Sequence, residues 1–101
     1  MQRNRKPSRQ AQALFAALLT DPSAWRHGYD LSRETGLASG TLYPLMARLQ
    51  STGLLEAEWR DAPETGRPAR HVYRLTAGGR AAAREAAREA EATPSLKGAL
   101  A

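Results

Sequence analysis

Residues 39 to 53 read SGTLYPLMARLQSTG, and this stretch decides the fold. Leu42, Leu45, Met46 and Leu49 fall at i, i+3, i+4 and i+7, which puts four apolar side chains on one face of a helix. Pro44 has to be reconciled with that helix. A proline lacks the N–H and collides with the carbonyl four residues back, so it is costly in a helix interior but tolerated in the first turn, where N–H groups have no intrahelical partner. The spacing therefore predicts a helix that begins at about Leu42, with Thr41 as N-cap and Gly53 as the left-handed residue that ends it.

Upstream, Leu14, Phe15, Leu18 and Leu19, with Ala11, form an apolar stripe that predicts a helix from about Ser8 to Leu19, ended by TDPS. WRHGYDLSRETG predicts a second helix from Gly28 to Thr35, burying Leu31 and Tyr29 and stopped by Gly36. Only GLAS separates it from the helix at Leu42. Two helices joined this closely, the first ending in glycine, make a helix-turn-helix.

Beyond Gly53 the period changes to two. Leu55, Ala57 and Trp59 alternate with Glu56, Glu58 and Arg60, and His71, Tyr73 and Leu75 alternate with Arg70, Val72 and Arg74, which predicts a β-hairpin with Trp59 in the core. Its connection, DAPETGRPA at 61 to 69, is too long and too rich in Pro and Gly for a tight turn and reads as a projecting wing. From Thr76, as N-cap, an alanine-rich helix follows. Gly79, Ala82, Ala83, Ala86, Ala87 and Ala90 share one stripe of it. The fold class is mainly α with a two-stranded β-hairpin, a winged helix-turn-helix with a C-terminal helix. Its segments are a flexible basic arm at 1–9, the winged helix-turn-helix at 10–76, a helix at 77–92 and a disordered tail at 93–101.

The 101 residues suffice for one small domain whose core is only modestly stabilising, which leaves room for help from a partner subunit. Without cysteine there is no disulfide framework or thiolate metal site, which fits a reducing cytoplasm. No apolar run is long enough for a membrane span and no signal-peptide pattern occurs, so the expectation is a cytoplasmic protein without membrane contact. Arg3, Arg5, Lys6 and Arg9 supply most of the net charge of +5; without these four, eleven of the 15 Lys and Arg remain against ten Asp and Glu. The excess sits in the arm, where it suits an acidic partner such as nucleic acid or simply aids solubility.

GYDL, TGLASGTLYPLMARLQSTGLLE, Trp59, GRPARHVYRLT and GGR, in this order over about residues 11 to 80, closely resemble the PadR family of bacterial transcriptional regulators. The resemblance implies a homodimer that binds operator DNA, usually as a repressor, with a C-terminal helical segment building the dimer. It also implies, for some members, a small hydrophobic or aromatic effector. The final helix here is short, lacks the aromatic residues that bind such effectors, and has alanine on its contact face. A dimer built on this helix would use Gly79, Ala82, Ala83, Ala86, Ala87 and Ala90 against Leu14 and Leu18 of the partner's first helix.

With Leu42, Leu45, Met46 and Leu49 inward, helical geometry sends Gly40, Pro44, Ala47 and Ser51 outward, with Thr41, Tyr43 and Arg48 on the flanks. A helix entering a major groove needs small residues along its centre and hydrogen-bonding side chains at its edges, although Ala47 and Ser51 are also ordinary surface choices. Ser39 and Thr41 lie where free N–H groups and the positive end of the helix dipole suit a DNA phosphate. Tyr43 reads as a backbone contact, by the resemblance above all, or as packing on the wing. Arg48 reads as a phosphate or guanine contact, or as the ion-pair partner of Glu34 or Asp30. Arg67 and Arg70, on the wing, suit the minor groove or its phosphates.

Trp25 is open to either a covered or an exposed reading. His27 and His71 lack the clustered carboxylates or cysteines of a metal site, and no cofactor motif or nucleophile–base pattern suggests an enzyme. The leading expectation is a regulator of double-stranded DNA, and its rival is a winged helix that binds a polypeptide instead.

Overall fold

Ser8 starts the first helix: in an extended conformation, its Oγ accepts the Ala11 N–H at 3.1 Å and caps α1 (Arg9–Leu19). The computed structural model describes residues 8–60 and 70–92. Arg9 is thus the first residue of α1, while Arg3, Arg5, Lys6, the wing loop with Arg67, and the tail at 93–101 lie outside the described residues. After α1 come β1 (Arg26–His27), α2 (Gly28–Thr35), α3 (Ser39–Ser51), β2 (Leu55–Arg60), β3 (Arg70–Leu75) and α4 (Ala77–Ala92).

The expected hairpin is present, with Leu55 opposite Leu75 and Arg60 opposite Arg70, but the sheet has a third strand. Arg26 pairs with Tyr73 and His27 with Val72, so β3 is central in the antiparallel order β1-β3-β2. A two-residue strand is too short to show a period. This arrangement also corrects Val72, which sequence alternation turned outward: it is only 3% exposed. Arg74, on the same strand face two residues on, has its guanidinium 4.2 Å from the Trp25 ring, so a half-buried tryptophan and its cation partly roof that face.

The turn between α2 and α3 is held by side chains as well as by Gly36, whose φ of 77° ends α2. Ser32 Oγ donates to the Leu37 carbonyl at 2.6 Å, and Thr35 Oγ1 accepts the Leu37 N–H at 3.1 Å. At the far end of α3, Gly53 takes φ 82°, its N–H donates to the Gln50 carbonyl, and the Leu54 N–H donates to the Leu49 carbonyl. These two bonds make a Schellman ending and aim the chain into β2. Thr76 then joins α3 to α4: its Oγ1 donates to the Gly53 carbonyl at 2.7 Å and accepts the Gly79 N–H at 2.9 Å, the capping role expected of it.

The start of α3 differs from expectation. The N-cap is Ala38, not Thr41, and the Thr41 and Leu42 N–H groups both donate to the Ala38 carbonyl at 2.9 Å. Pro44 is therefore the sixth helical residue, in the second turn, and leaves the Gly40 carbonyl without its usual donor. Gly40 is exposed, so water can satisfy that oxygen, and helical pairing of residues 39 to 41 offsets the loss.

The core is one cluster. Leu14, Leu18, Leu31, Leu42, Met46 and Leu75 are essentially inaccessible, joined by Phe15, Leu45, Leu49, Leu55, Tyr73, Ala83 and Ala86. The four apolar residues of α3 all face it, as their spacing predicts.

Candidate nucleic-acid interface

The opposite face of α3 is free. Ser39, Gly40, Thr41, Pro44, Ala47, Arg48 and Ser51 are all exposed, which leaves a narrow smooth strip running the length of the helix. Ala38 has no side-chain acceptor for the first turn, so among the described residues the Ser39 and Gly40 N–H groups remain for an outside partner at the positive end of the helix. The Ser51 hydroxyl donates to the Arg48 carbonyl at 2.8 Å and keeps its lone pairs outward. The acids considered as partners of Arg48 are engaged elsewhere: Glu34 is ion-paired with Arg26, and Asp30 lies 3.7 Å from His27 Nδ1. That leaves Arg48 available on the flank of the strip.

Tyr43 is 43% exposed, and its ring packs against Tyr73 at 6.4 Å between centroids. Its hydroxyl occupies space that a Cβ at residue 28 would need, so the absence of a side chain at Gly28 lets the ring lie across the start of α2. From Tyr73 the rings continue along the hairpin: the Tyr73 hydroxyl meets His71 Nδ1 at 3.1 Å, and His71 stacks on Trp59 at 4.2 Å and 7°. This corrects the expectation for Trp59, which is 66% exposed. It is next to last in β2, beyond the edge of the helical layer, and among the described residues it stacks on the half-buried imidazole opposite.

Tyr29 is likewise 69% exposed rather than buried. It stands roughly 200° around the helix from the buried Leu31, with the Arg33 guanidinium 5.8 Å from its ring centre. Arg70, at the root of the wing, is exposed. The side of the molecule that carries the α3 strip therefore also presents aromatic rings and a cation. Sequence reasoning weighed His27 and His71 only as metal ligands and did not anticipate the Trp59–His71 stack, and the aromatic and basic run WRH is too short to score as a strand.

Burial raises the pKa of Tyr73 above its ordinary value of 10.0, with the neighbouring Tyr43 adding to the rise. The unfolded chain ionises this phenol first, so it binds fewer protons than the folded chain above that pH. Stability is expected to be intact below about pH 10 and to fall as pH rises from there through the folded-state value. Urea titrations at pH 9 and above should show this fall reduced in Tyr73→Phe.

The small-residue stripe of α4 is largely closed by the chain itself. Leu14 and Leu18 are fully enclosed, Ala83 and Ala86 are 1% and 4% exposed in the same cluster, and Gly79 is buried against the backbone of Leu54. Leu14, Leu18, Ala83 and Ala86 thus lie within the chain's own core, where alanine at 83 and 86 lets α4 approach α1 closely, and Gly79 lies against the α3–β2 corner. Ala82 is half-buried, and Ala87 and Ala90 are exposed. Between α1 and α4 runs a groove of about 430 Å³ floored by alanines, with Arg9, Gln12 and Glu91 among its lining residues. No aromatic residue occurs on α4 to hold a flat effector. Among the described residues there is no cluster of three potential metal ligands and no helix long and apolar enough to cross a membrane.

Comparison with known proteins agrees with this geometry. The chain is 48% identical over 66 residues to the transcriptional regulator Rv3488 of Mycobacterium tuberculosis, a match covering 65% of this chain and 53% of that protein. It thus spans about half the length of that curated relative. The crystal structure of the PcaV transcriptional regulator from Streptomyces coelicolor, solved with its natural ligand, superposes with a TM-score of 0.70 at 25% identity, over 87% of this chain and 58% of that one. A PadR-like transcription factor from B. fragilis superposes with a TM-score of 0.66 at 26% identity, over 83% and 84% of the two chains. Residues 18–85 match the family model of PadR-like transcriptional regulators, and the chain belongs to that family of winged-helix, non-enzymatic proteins.

Proposed function

We propose that the chain binds palindromic operator DNA as a homodimer and represses transcription in the cytoplasm, bound to the nucleoid. The observation that carries this reading is the two-sidedness of α3: Leu42, Leu45, Met46 and Leu49 are buried, while Gly40, Pro44, Ala47 and Ser51 form an exposed strip low enough to enter a major groove. Ser39, Gly40 and Thr41 then hold a backbone phosphate, Arg48 and Tyr43 contact the flanks, and the wing, with Arg67 and Arg70, meets the minor groove or its phosphates. Arg3, Arg5, Lys6 and Arg9 add contacts that do not read sequence. Selection of bound duplexes from a random pool tests this directly. A palindromic consensus with half-sites about one helical turn, ~34 Å, apart is the expected result. Failure to enrich any sequence would favour a polypeptide partner.

For the dimer, the α1–α4 groove is the seat we assign to a second copy. Its alanine floor permits close helix approach, and Arg9 with Glu91 on its rim provides opposite charges for a two-fold contact. Ala87→Glu is expected to weaken association on the order of tenfold or more, ~1.4 kcal/mol, and to lower operator affinity with it, as read by sedimentation at micromolar concentration. Ala86→Glu would mislead, since a carboxylate at a position 4% exposed unfolds the protomer before it tests the dimer.

A further inference from the structure

Beside α3 lies a cavity of about 300 Å³, bounded by His27, Gly28, Tyr29, Tyr43, Arg70 and His71. Three elements meet here: the β1–α2 corner, α3 and the end of β3 at the root of the wing. Five of the six residues carry a group that can donate a hydrogen bond to an anion, and none carries a carboxylate. At its edge Asp30 lies 3.7 Å from His27 Nδ1. The His71 ring is fixed by the Tyr73 hydroxyl at Nδ1 and by the stack on Trp59, which leaves its Nε2 uncommitted. Packing of the Tyr43 ring across Gly28 likewise fixes one wall.

The charge at this end of the hairpin is consistent with an anion. Arg70 stands directly opposite Arg60 in the strand pair, and like charges in that register repel. Among the described residues Glu58 bonds Arg60 Nε at 3.0 Å. Arg70 and Arg60 thus concentrate positive charge at this end of the described strand pair.

We propose that this cavity seats one phosphodiester of the bound duplex. The Arg70 guanidinium supplies the charge, and the Tyr29 and Tyr43 hydroxyls with the His27 and His71 imidazoles supply hydrogen bonds. This rests on the reading of α3 as the groove-entering helix: a sugar–phosphate strand leaving the groove for the wing crosses the gap between Tyr43 and Arg70. The rings pack on the deoxyribose. The seat holds the duplex in register without reading its sequence, a function distinct from that of the α3 strip.

The test compares the full chain with Arg70→Gln on a selected duplex and on a scrambled one, by fluorescence anisotropy over a salt series. Arg70 is exposed and its charge faces that of Arg60, so the variant is expected to stay folded. Arg70→Gln should weaken both duplexes by the same factor, and the slope of log affinity against log salt should fall by about 0.9, the value for one lost phosphate contact. A single methylphosphonate walked along the selected duplex should find one position per half-site that weakens the parent and leaves Arg70→Gln unaffected. An unchanged slope, or a changed preference between the two duplexes, would overturn the seat. A parent chain that binds no duplex overturns the DNA-binding reading instead. The cavity as an anion site is then decided by titrating inorganic phosphate and following the His27 and His71 ring protons: joint shifts that vanish in Arg70→Gln support it, and none refutes it.

Discussion

Ala47→Glu is expected to reduce operator binding to the non-specific level, a loss of about 4 kcal/mol or more, while the protein stays folded. Ala47 is exposed at the middle of the strip, one position beyond the fully buried Met46. A carboxylate there would enter the groove among phosphates and the acceptor atoms of base edges, with no donor of the protein placed to receive it. Alanine and glutamate are both good helix formers, so the helical circular dichroism should not change. Ala47→Gln separates size from charge: it should lose less, because its amide can donate to a base edge. Operator affinity retained in Ala47→Glu would remove α3 as the reading element.

How far α3 could be read beforehand shows where sequence reasoning fails. The four inward residues came from periodicity, which the buried core enforces strictly. The start of the helix came from a local rule about proline, and there the rule was outweighed. Placing Pro44 in the first turn saves one hydrogen bond, but helical pairing of residues 39 to 41 with Ala38 and beyond recovers more than one, and the orphaned Gly40 carbonyl is exposed to water. A sum over several residues beats the preference of one. The consequence for the candidate interface is direct: Ser39, Gly40 and Thr41 become part of the groove-facing helix instead of the turn that precedes it.

Alternation in the hairpin was legible for the same reason as the α3 stripe, and it failed at Val72, whose outward face Trp25 and Arg74 partly roof, and at Trp59, where the helical layer no longer covers the sheet. Leu55 and Leu75 lie over that layer and are buried; Trp59 and His71 lie past its edge and cover each other. The period gives the face of a strand but not how far the opposing layer extends. The cavity beside Tyr43 was illegible for a different reason. Its residues come from positions 27 to 29, 43 and 70 to 71, brought together by a third strand of two residues that no periodicity can announce. The exposed strip of α3 could be named from a helical wheel, whereas the cavity requires the sheet order.

Gly78 and Gly79 open α4 side by side, and alanine substitutions at the two are expected to have opposite signs. A Cβ at residue 79 would be driven into the Leu54 carbonyl, 2.8 Å from its carbon and closer still to its oxygen, with Leu75 Cδ2 at 3.1 Å. The obstacle is mostly backbone, and that backbone is fixed: the Leu54 N–H closes the α3 ending and its carbonyl accepts the Thr76 N–H. Relief requires α4 to move away from the α3–β2 corner, which would open the contact that Ala83 and Ala86 make with α1. Gly79→Ala should therefore cost about 3 kcal/mol, the upper end for overpacking, and lower the melting midpoint by roughly 12 °C or more for a domain of this size. At residue 78 the nearest atoms to a Cβ lie at 3.8 Å or beyond, ordinary contact distance, and the backbone is helical. Gly78→Ala should stabilise by up to about 1 kcal/mol, because the unfolded chain loses freedom that the folded chain never used. Urea denaturation of the two variants beside the parent decides the matter. Equal effects of the same sign would mean that the close approach of α4 to Leu54 does not hold in solution.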